Sequence, residues 1–266
     1  MLIRLNDLKF RILTISFTLL LSIFILSLIL CIVTHTSLHI LLTSVVSKDI
    51  QFAIKLSLVT SIISTLICIV VSIPVSYALA RYHFFGKTLV NTIVDIPLAM
   101  PPLVAGVGLL LLFGTTTFGK WLSSIGITVV FTPLGIIIAQ FVVNIPFMLR
   151  IMRSTFEGIN PRFEYVAQTL GCSPMSAFLR TTLPMSKNGL LAGSVITWSK
   201  AIGEFGAVLM VAGATHMKTE NLPISLYLNM SCGDLDMAIT AATILIIISL
   251  VSLYIFERHG GTSHIY

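Results

Sequence analysis

Leu56-Ser-Leu-Val-Thr-Ser-Ile-Ile-Ser-Thr-Leu-Ile-Cys-Ile-Val-Val-Ser-Ile-Pro-Val-Ser-Tyr-Ala-Leu-Ala80 lies between Lys55 and Arg81 and contains no charged side chain. As a helix it would extend about 37 Å, enough to cross a hydrocarbon core about 30 Å thick. Two further windows share this character, 12–34 between Arg11 and His35 and 96–119 between Asp95 and Lys120. A fourth run covers about 133–149 and ends at Arg150 and Arg153. The fifth, about 188–213, carries Lys200 and Glu204, and the sixth extends from Met237 to Phe256. Composition agrees with this reading: 56% of the 266 residues are hydrophobic, 10% are charged and mean hydropathy is +1.02, whereas soluble domains have about 25% charged residues. A soluble globular domain is excluded. The expectation is an all-α integral membrane protein with about six transmembrane helices, one membrane domain over residues 1–266, and both termini on one side.

The net charge of +6 follows topology rather than a nucleic-acid surface, because few basic residues are interleaved with aromatics outside the apolar runs. With both termini cytoplasmic, eleven basic residues lie inside: Arg4, Lys9, Arg11, Arg81, Lys87, Arg150, Arg153, Arg162, Arg180, Lys187 and Arg258. Four lie outside: Lys48, Lys55, Lys120 and Lys218. This bias sets the expected orientation. The first window follows a basic start but is too long for a signal-peptide core and lacks a small-residue cleavage site, so it is expected to remain as a helix. No loop has the roughly 100 residues a second domain would need.

Chemical motifs are sparse. Gly114-Thr-Thr-Thr-Phe-Gly119-Lys120 has phosphate-loop spacing up to its lysine, but Trp121 stands where a magnesium-binding Ser or Thr is required. It reads as a turn between helices. His35 and His39 are four apart, without a third ligand nearby. Cys31, Cys68, Cys172 and Cys232 form no CxxC pair, so neither a disulfide framework nor a zinc site is expected. No catalytic constellation, metal or cofactor is expected.

The segment 160–184, between the fourth and fifth spans, is the substantial inside loop. Asn160-Pro161 gives a helix start. Phe163, Val166, Ala167 and Leu170 then follow the i, i+3, i+4, i+7 spacing of one apolar face, and Gly171 stops the helix. Ser173-Pro174 repeats the start signal, and a second short helix bearing Met175, Phe178 and Leu179 runs to Leu183-Pro184. Two amphipathic helices meeting at a glycine form a knob for a partner's groove or an interfacial pair on lipid headgroups, which Arg162 and Arg180 would also suit.

The run Glu164-Tyr-Val-Ala167-Gln-Thr-Leu-Gly171-Cys-Ser-Pro174-Met-Ser-Ala-Phe178-Leu-Arg-Thr-Thr-Leu183-Pro184 resembles the EAA loop of the membrane subunits of binding-protein-dependent ABC importers. Tyr165 stands at the family's glutamate position, with Glu164 one residue earlier, and Val166-Ala167 replaces the two alanines. The resemblance continues through residues 95–114, through Gly135, Ala139-Gln140 and Pro146-Phe147, and through Gly203-Glu-Phe-Gly-Ala207, where it is similar to the molybdate and tungstate branch, with sulfate permeases as close relatives. It implies a multi-pass permease of the prokaryotic cytoplasmic membrane, working as a homodimer with a cytoplasmic ABC ATPase dimer and an extracytoplasmic substrate-binding protein. ATP hydrolysis is then expected in the separate ATPase chain, with no covalent chemistry in this one. The ATPase-coupling residues it implies are Arg162, Phe163, Glu164, Tyr165, Val166, Ala167, Leu170, Gly171, Phe178, Arg180, Leu183 and Pro184.

Pro97, Pro101 and Pro102 interrupt the third span, where freed carbonyls should face protein or a water-filled path. Lys200 and Glu204 fall about 12 and 16 residues into the fifth span, roughly 18 to 24 Å deep and around its middle or beyond, and charges at that depth avoid lipid. Their i, i+4 spacing allows an ion pair; the alternative is that Lys200 attracts a tetrahedral oxyanion while Glu204 prevents tight retention. Gly189, Gly193, Gly203 and Gly206 allow close helix packing, within the chain or across a dimer axis. The resulting expectation is importer permease activity toward molybdate or tungstate, with sulfate as an alternative. An ion-coupled secondary transporter using Lys200 and Glu204 is the competing class.

Overall fold

The computed structural model describes residues 2–35 and 38–260, and among these there is no β-strand. Its helices are α1 (Leu2–His35), α2 (Leu38–Val45), α3 (Lys48–Arg81), α4 (Lys87–Ala99), α5 (Pro102–Gly114), α6 (Thr117–Ser124) and α7 (Pro133–Gly158). There follow α8 (Arg162–Thr169) and α9 (Pro174–Ala177), which runs through a π turn (Phe178–Thr182) into α10 (Leu183–Met185). The chain ends with α11 (Lys187–Ile202), α12 (Gly206–Ala212), α13 (Leu222–Cys232) and α14 (Leu235–Gly260).

Among the described residues four helical segments are individually long and apolar enough to cross a membrane: Lys9–His35, Lys48–Arg81, Pro133–Gly158 and Leu235–Ser252. Two bent pairs, α4 with α5 and α11 with α12, bring the number to six if each is one span. The third span is broken where its prolines imply, whereas the reading of the fifth as one unbroken helix needs correction. The third, expected over 96–119, turns by 112° between α4 and α5. Met100 is extended before Pro101, and neither Pro101 nor Pro102 has an N–H to continue the ladder. The fifth bends by 59° at Gly203-Glu204-Phe205. The fourth continues beyond Arg150 to Gly158 and ends just before the loop expected over 160–184.

Helices α3 and α7 form the central pair. Ser76 Oγ donates to the Leu149 carbonyl at 3.1 Å, and Cys68 Sγ to the Phe141 carbonyl at 3.9 Å. The residue offset is the same in both bonds, so the two helices run parallel and in register. The inward face of α3 carries Ser57, Ser61, Ser64, Cys68, Ser72 and Ser76, all buried. Small side chains let two helices approach closely where the surroundings offer little hydrophobic drive. Three apolar clusters surround this pair. One joins α5, α7 and α12 through Ala105, Leu109, Ile136, Val143 and Val208. Another joins α3, α7 and the knob through Cys68, Met152, Phe156 and Phe178. The third packs the start of α3 on α13 and α14 through Ile50, Ala53, Leu222 and Ala241. In contrast, the apolar window of α1 has no buried residue, as a lipid-facing helix requires.

Candidate functional site: the knob and the broken spans

The knob forms where its punctuation falls. Asn160 Oδ1 accepts from Arg162 N at 3.0 Å, starting α8, and Ser173 Oγ accepts from Ser176 N at 3.3 Å, starting α9 with Pro174 in its first turn. Gly171, with φ of +91°, supplies the left-handed residue that ends α8. The second helix differs from the regular one expected, because Phe178–Thr182 widens into a π turn before Leu183.

Phe163, Val166 and Leu170 are 52%, 58% and 81% exposed, a degree of apolar exposure that calls for a covering surface. With Ala167, Arg180 and Pro184 they line one concave surface. Tyr165 and Arg162 are also exposed. Leu183 is half-buried behind this face. Two of the coupling residues that the resemblance implies lie behind this face: Glu164 and Phe178 are 5% and 9% exposed. The Phe178 ring packs edge-on against Tyr77, with centroids 4.6 Å apart, and lies 6.1 Å from Phe156. The Glu164 carboxylate accepts from the Tyr77 hydroxyl at 2.6 Å and from Thr182 Oγ1, with Arg81 Nε 3.6 Å away. The reason is positional: each turns away from the exposed face toward α3 and α7. Apolar periodicity marks the outward surface of α8, whereas the inward anchor is a polar residue within that period.

At the other site the two broken spans touch at their breaks. A Cβ on Gly206 would lie 3.2 Å from both Leu103 N and Pro102 Cβ, and one on Gly106 would lie 2.8 Å from Ala207 Cα. Helices α5 and α12 thus lie backbone to backbone, with Pro102 beside Gly206. Glu204, 9% exposed, accepts from Ala207 N at 3.0 Å and caps α12. Gln140 Nε2 donates to the Ala201 carbonyl at 2.8 Å and supports the end of α11. Pro97 lies within α4, half-buried, while Pro101 and Pro102 are exposed at the bend.

The helix-face ion pair expected between Lys200 and Glu204 is not formed, since the break turns Glu204 toward α12 and Lys200 Nζ stands 4.2 Å above the Phe147 ring. The packing glycines also divide. Gly189 abuts the Thr155 side chain, and a Cβ on Gly193 would come within 2.7 Å of Met148 Sδ, so both seat α11 on α7 within the chain. Gly203 meets no other helix and serves the break itself. Tyr77 and Thr182 are site residues that motif reading misses, while Arg81 and Gly106 carried other signals, as the end of a charge-free span and as part of the 95–114 stretch.

Comparison with known proteins follows this geometry. A family model described as "binding-protein-dependent transport system inner membrane component" matches residues 72–259. The sulfate transport system permease protein CysT of Escherichia coli is 34% identical over 181 residues, covering 68% of this chain and 65% of CysT. The molybdenum transport system permease protein ModB of Haemophilus influenzae is 35% identical over 186 residues, covering 69% of this chain and 81% of ModB. The alignment thus spans a little under two thirds of the sulfate relative's length. Among solved structures, a bacterial ABC transporter involved in the import of the acidic polysaccharide alginate superposes with a TM-score of 0.70 at 20% identity, over 95% of this chain and 98% of that one. That superposition shows a shared overall fold, and with the family model matching more than half of its residues the chain belongs to the family of binding-protein-dependent transport system inner membrane components.

Proposed function

We propose that this chain is the membrane-spanning subunit of an ATP-driven importer for tetrahedral oxyanions, forming the translocation path as a homodimer. A separate cytoplasmic ATPase dimer engages the knob, and an extracytoplasmic binding protein delivers the anion. The observation that carries the reading is the knob itself: an exposed apolar face on α8, held from behind by buried residues of α3 and α7. An interfacial helix would need no such anchoring, whereas an element receiving force from a soluble partner does. By linkage, ATP biases the path only if the ATPase holds two permease states with different affinity.

For the substrate, the residues at 95–114, 132–150 and 203–207 favour molybdate or tungstate. Sulfate is the second reading, favoured by the 34% identity to CysT. All three are tetrahedral dianions, and discrimination is assigned to the binding protein. A secondary transporter built on a Lys200–Glu204 proton pair is disfavoured because the two side chains point to different partners.

The deciding experiment co-expresses this chain with an ABC ATPase and a secreted binding protein, sought in the adjoining reading frames, and measures uptake into vesicles of molybdate, tungstate and sulfate. ATP-dependent uptake supports the reading. Uptake that persists without ATP and collapses with membrane potential overturns it.

A further inference from the structure

The Glu164 carboxylate gathers four pieces of the chain. Its Oε2 accepts from the Tyr77 hydroxyl of α3 at 2.6 Å, and its Oε1 accepts from Thr182 Oγ1 at the end of the π turn. Arg81 Nε, at the end of α3, stands 3.6 Å from the same Oε1. Arg81 Nη2 also donates to the Ile159 carbonyl at 2.8 Å, just beyond α7. The Arg81 and Glu164 side chains are 11% and 7% exposed, and the Tyr77 ring lies edge-on to Phe156 and Phe178.

Burying a charged pair is a poor route to stability, because desolvation offsets much of the attraction and apolar residues of similar volume often hold as well. A polar tie does differ from an apolar contact in direction. Phe178 against Tyr77 resists compression but allows sliding, whereas a charge-assisted hydrogen bond fixes the register of the groups it joins.

We propose that Glu164 is a positioning residue that makes the knob and α3 move as one body, so that displacement of α8 reaches Tyr77 and Arg81 directly and α7 through Arg81 and Ile159. The inference rests on the reading of the knob as the element that a partner displaces. It removes Glu164 from the docking surface and assigns it to the transmission behind that surface. Phe163, Val166 and Leu170 make the contact, and Glu164 carries the motion inward.

The test compares Glu164→Gln, Tyr77→Phe and the double variant in the full chain. Hydrogen exchange of the knob amides is measured on the purified chain in detergent. Glu164→Gln is expected to speed exchange over residues 163–170 about tenfold, the cost of weakening charge-assisted bonds. Tyr77→Phe has a smaller effect, and the double variant falls short of the sum of the two, because both changes act on the same hydroxyl–carboxylate bond. In vesicles containing the ATPase and binding protein, Glu164→Gln is expected to keep the ATPase bound and hydrolysing while anion uptake per ATP falls about tenfold. Unchanged exchange together with unchanged uptake per ATP overturns the proposal. Loss of ATPase binding with unchanged exchange also overturns it, because Glu164 would then belong to the docking surface. Should Glu164→Gln fail to fold, Tyr77→Phe, which removes only a hydroxyl, decides by the same two readouts, and no change in either overturns the proposal. A wild-type chain that binds no ATPase defeats the docking reading alone, and the exchange comparison still judges the tie.

Discussion

The knob and the junction of the broken spans both interrupt runs of helix, yet they are secured in opposite ways. Behind the knob, one carboxylate bonds to Tyr77 and Thr182 and faces Arg81, so three separate side chains share the attachment. At the junction the contact is steric, with Gly106 on Ala207 and Gly206 on Pro102 and Leu103. A polar tie can lose one partner and keep the others, whereas a backbone contact allows no side chain at all. The knob should therefore fail gradually and the junction abruptly.

The sharpest way to break this contrast is to add bulk to a glycine in each region. Gly106→Leu would force side-chain carbons into space where even a Cβ lies 2.8 Å from Ala207 Cα, so α5 and α12 must separate. The expected cost is about 3 kcal/mol or more, read as loss of monodisperse protein in detergent. Gly171→Ala in the knob meets nothing within 4 Å and suffers only the strain of its +91° φ, about 1–2 kcal/mol. Its yield and melting temperature should stay much closer to wild type. Equal losses from the two changes would erase the distinction.

A second comparison lies within the knob, between its outer face and its anchor. Phe163→Ala with Leu170→Ala removes side chains that are 52% and 81% exposed, so thermal stability should change little. Under the proposed docking, co-purification of the ATPase should fall by about tenfold or more, as expected for central apolar anchors. Normal assembly and transport in this variant would show that the exposed face serves lipid rather than a partner.

These contrasts also separate what the sequence made legible from what it did not. The windows at 12–34, 56–80, 133–149 and 237–256 were readable because a membrane demands length and apolarity, both local properties. The knob was readable because Asn160-Pro161, Gly171 and Ser173-Pro174 carry their meaning within a few residues. Proline at 101 and 102 announced an interruption, but its 112° turn depends on α5 finding α12, a contact made a hundred residues away. The inward placement of Glu164 was not legible for a related reason. Its partners Tyr77 and Thr182 lie 87 and 18 residues away, so only the packed α3 and π turn show that the carboxylate faces inward. Lys200 and Glu204 looked paired under the assumption of an unbroken helix, and the break at Gly203 removed that premise.

That corrected pair offers a milder prediction. Lys200→Met loses a cation over the Phe147 ring, worth about 0.5–1 kcal/mol. Glu204→Gln keeps an oxygen able to accept from Ala207 N and loses mainly the charge at the cap, about 0.3–1 kcal/mol. The two side chains bond to different partners, but the Lys200 charge still acts on Glu204, so their effects on melting in detergent should depart from additivity only modestly, by about 0.5 kcal/mol. A rescue of one change by the other would restore the ion pair and bring the two sites into direct coupling. The path reading further expects Lys200→Met to lower anion uptake with protein yield unchanged.

The smallest expected effect concerns α4, which resembles neither region. It has no buried residue, and its Asp95 Oδ2 meets Arg150 Nη2 of α7 at 3.2 Å, with side chains 40% and 64% exposed. A pair this open to solvent contributes about 0–1 kcal/mol and is screened by salt. Asp95→Asn should thus shift melting by no more than a degree or two at low ionic strength, and the difference should vanish near 1 M salt, where the screening length is about 3 Å. A larger, salt-insensitive loss would mean that the pair lies in a low-dielectric setting, with α4 covered by another surface in the assembled protein. The carboxylate would then be holding a helix against its neighbour as Glu164 does at the knob, and the contrast drawn above would extend from two regions to three.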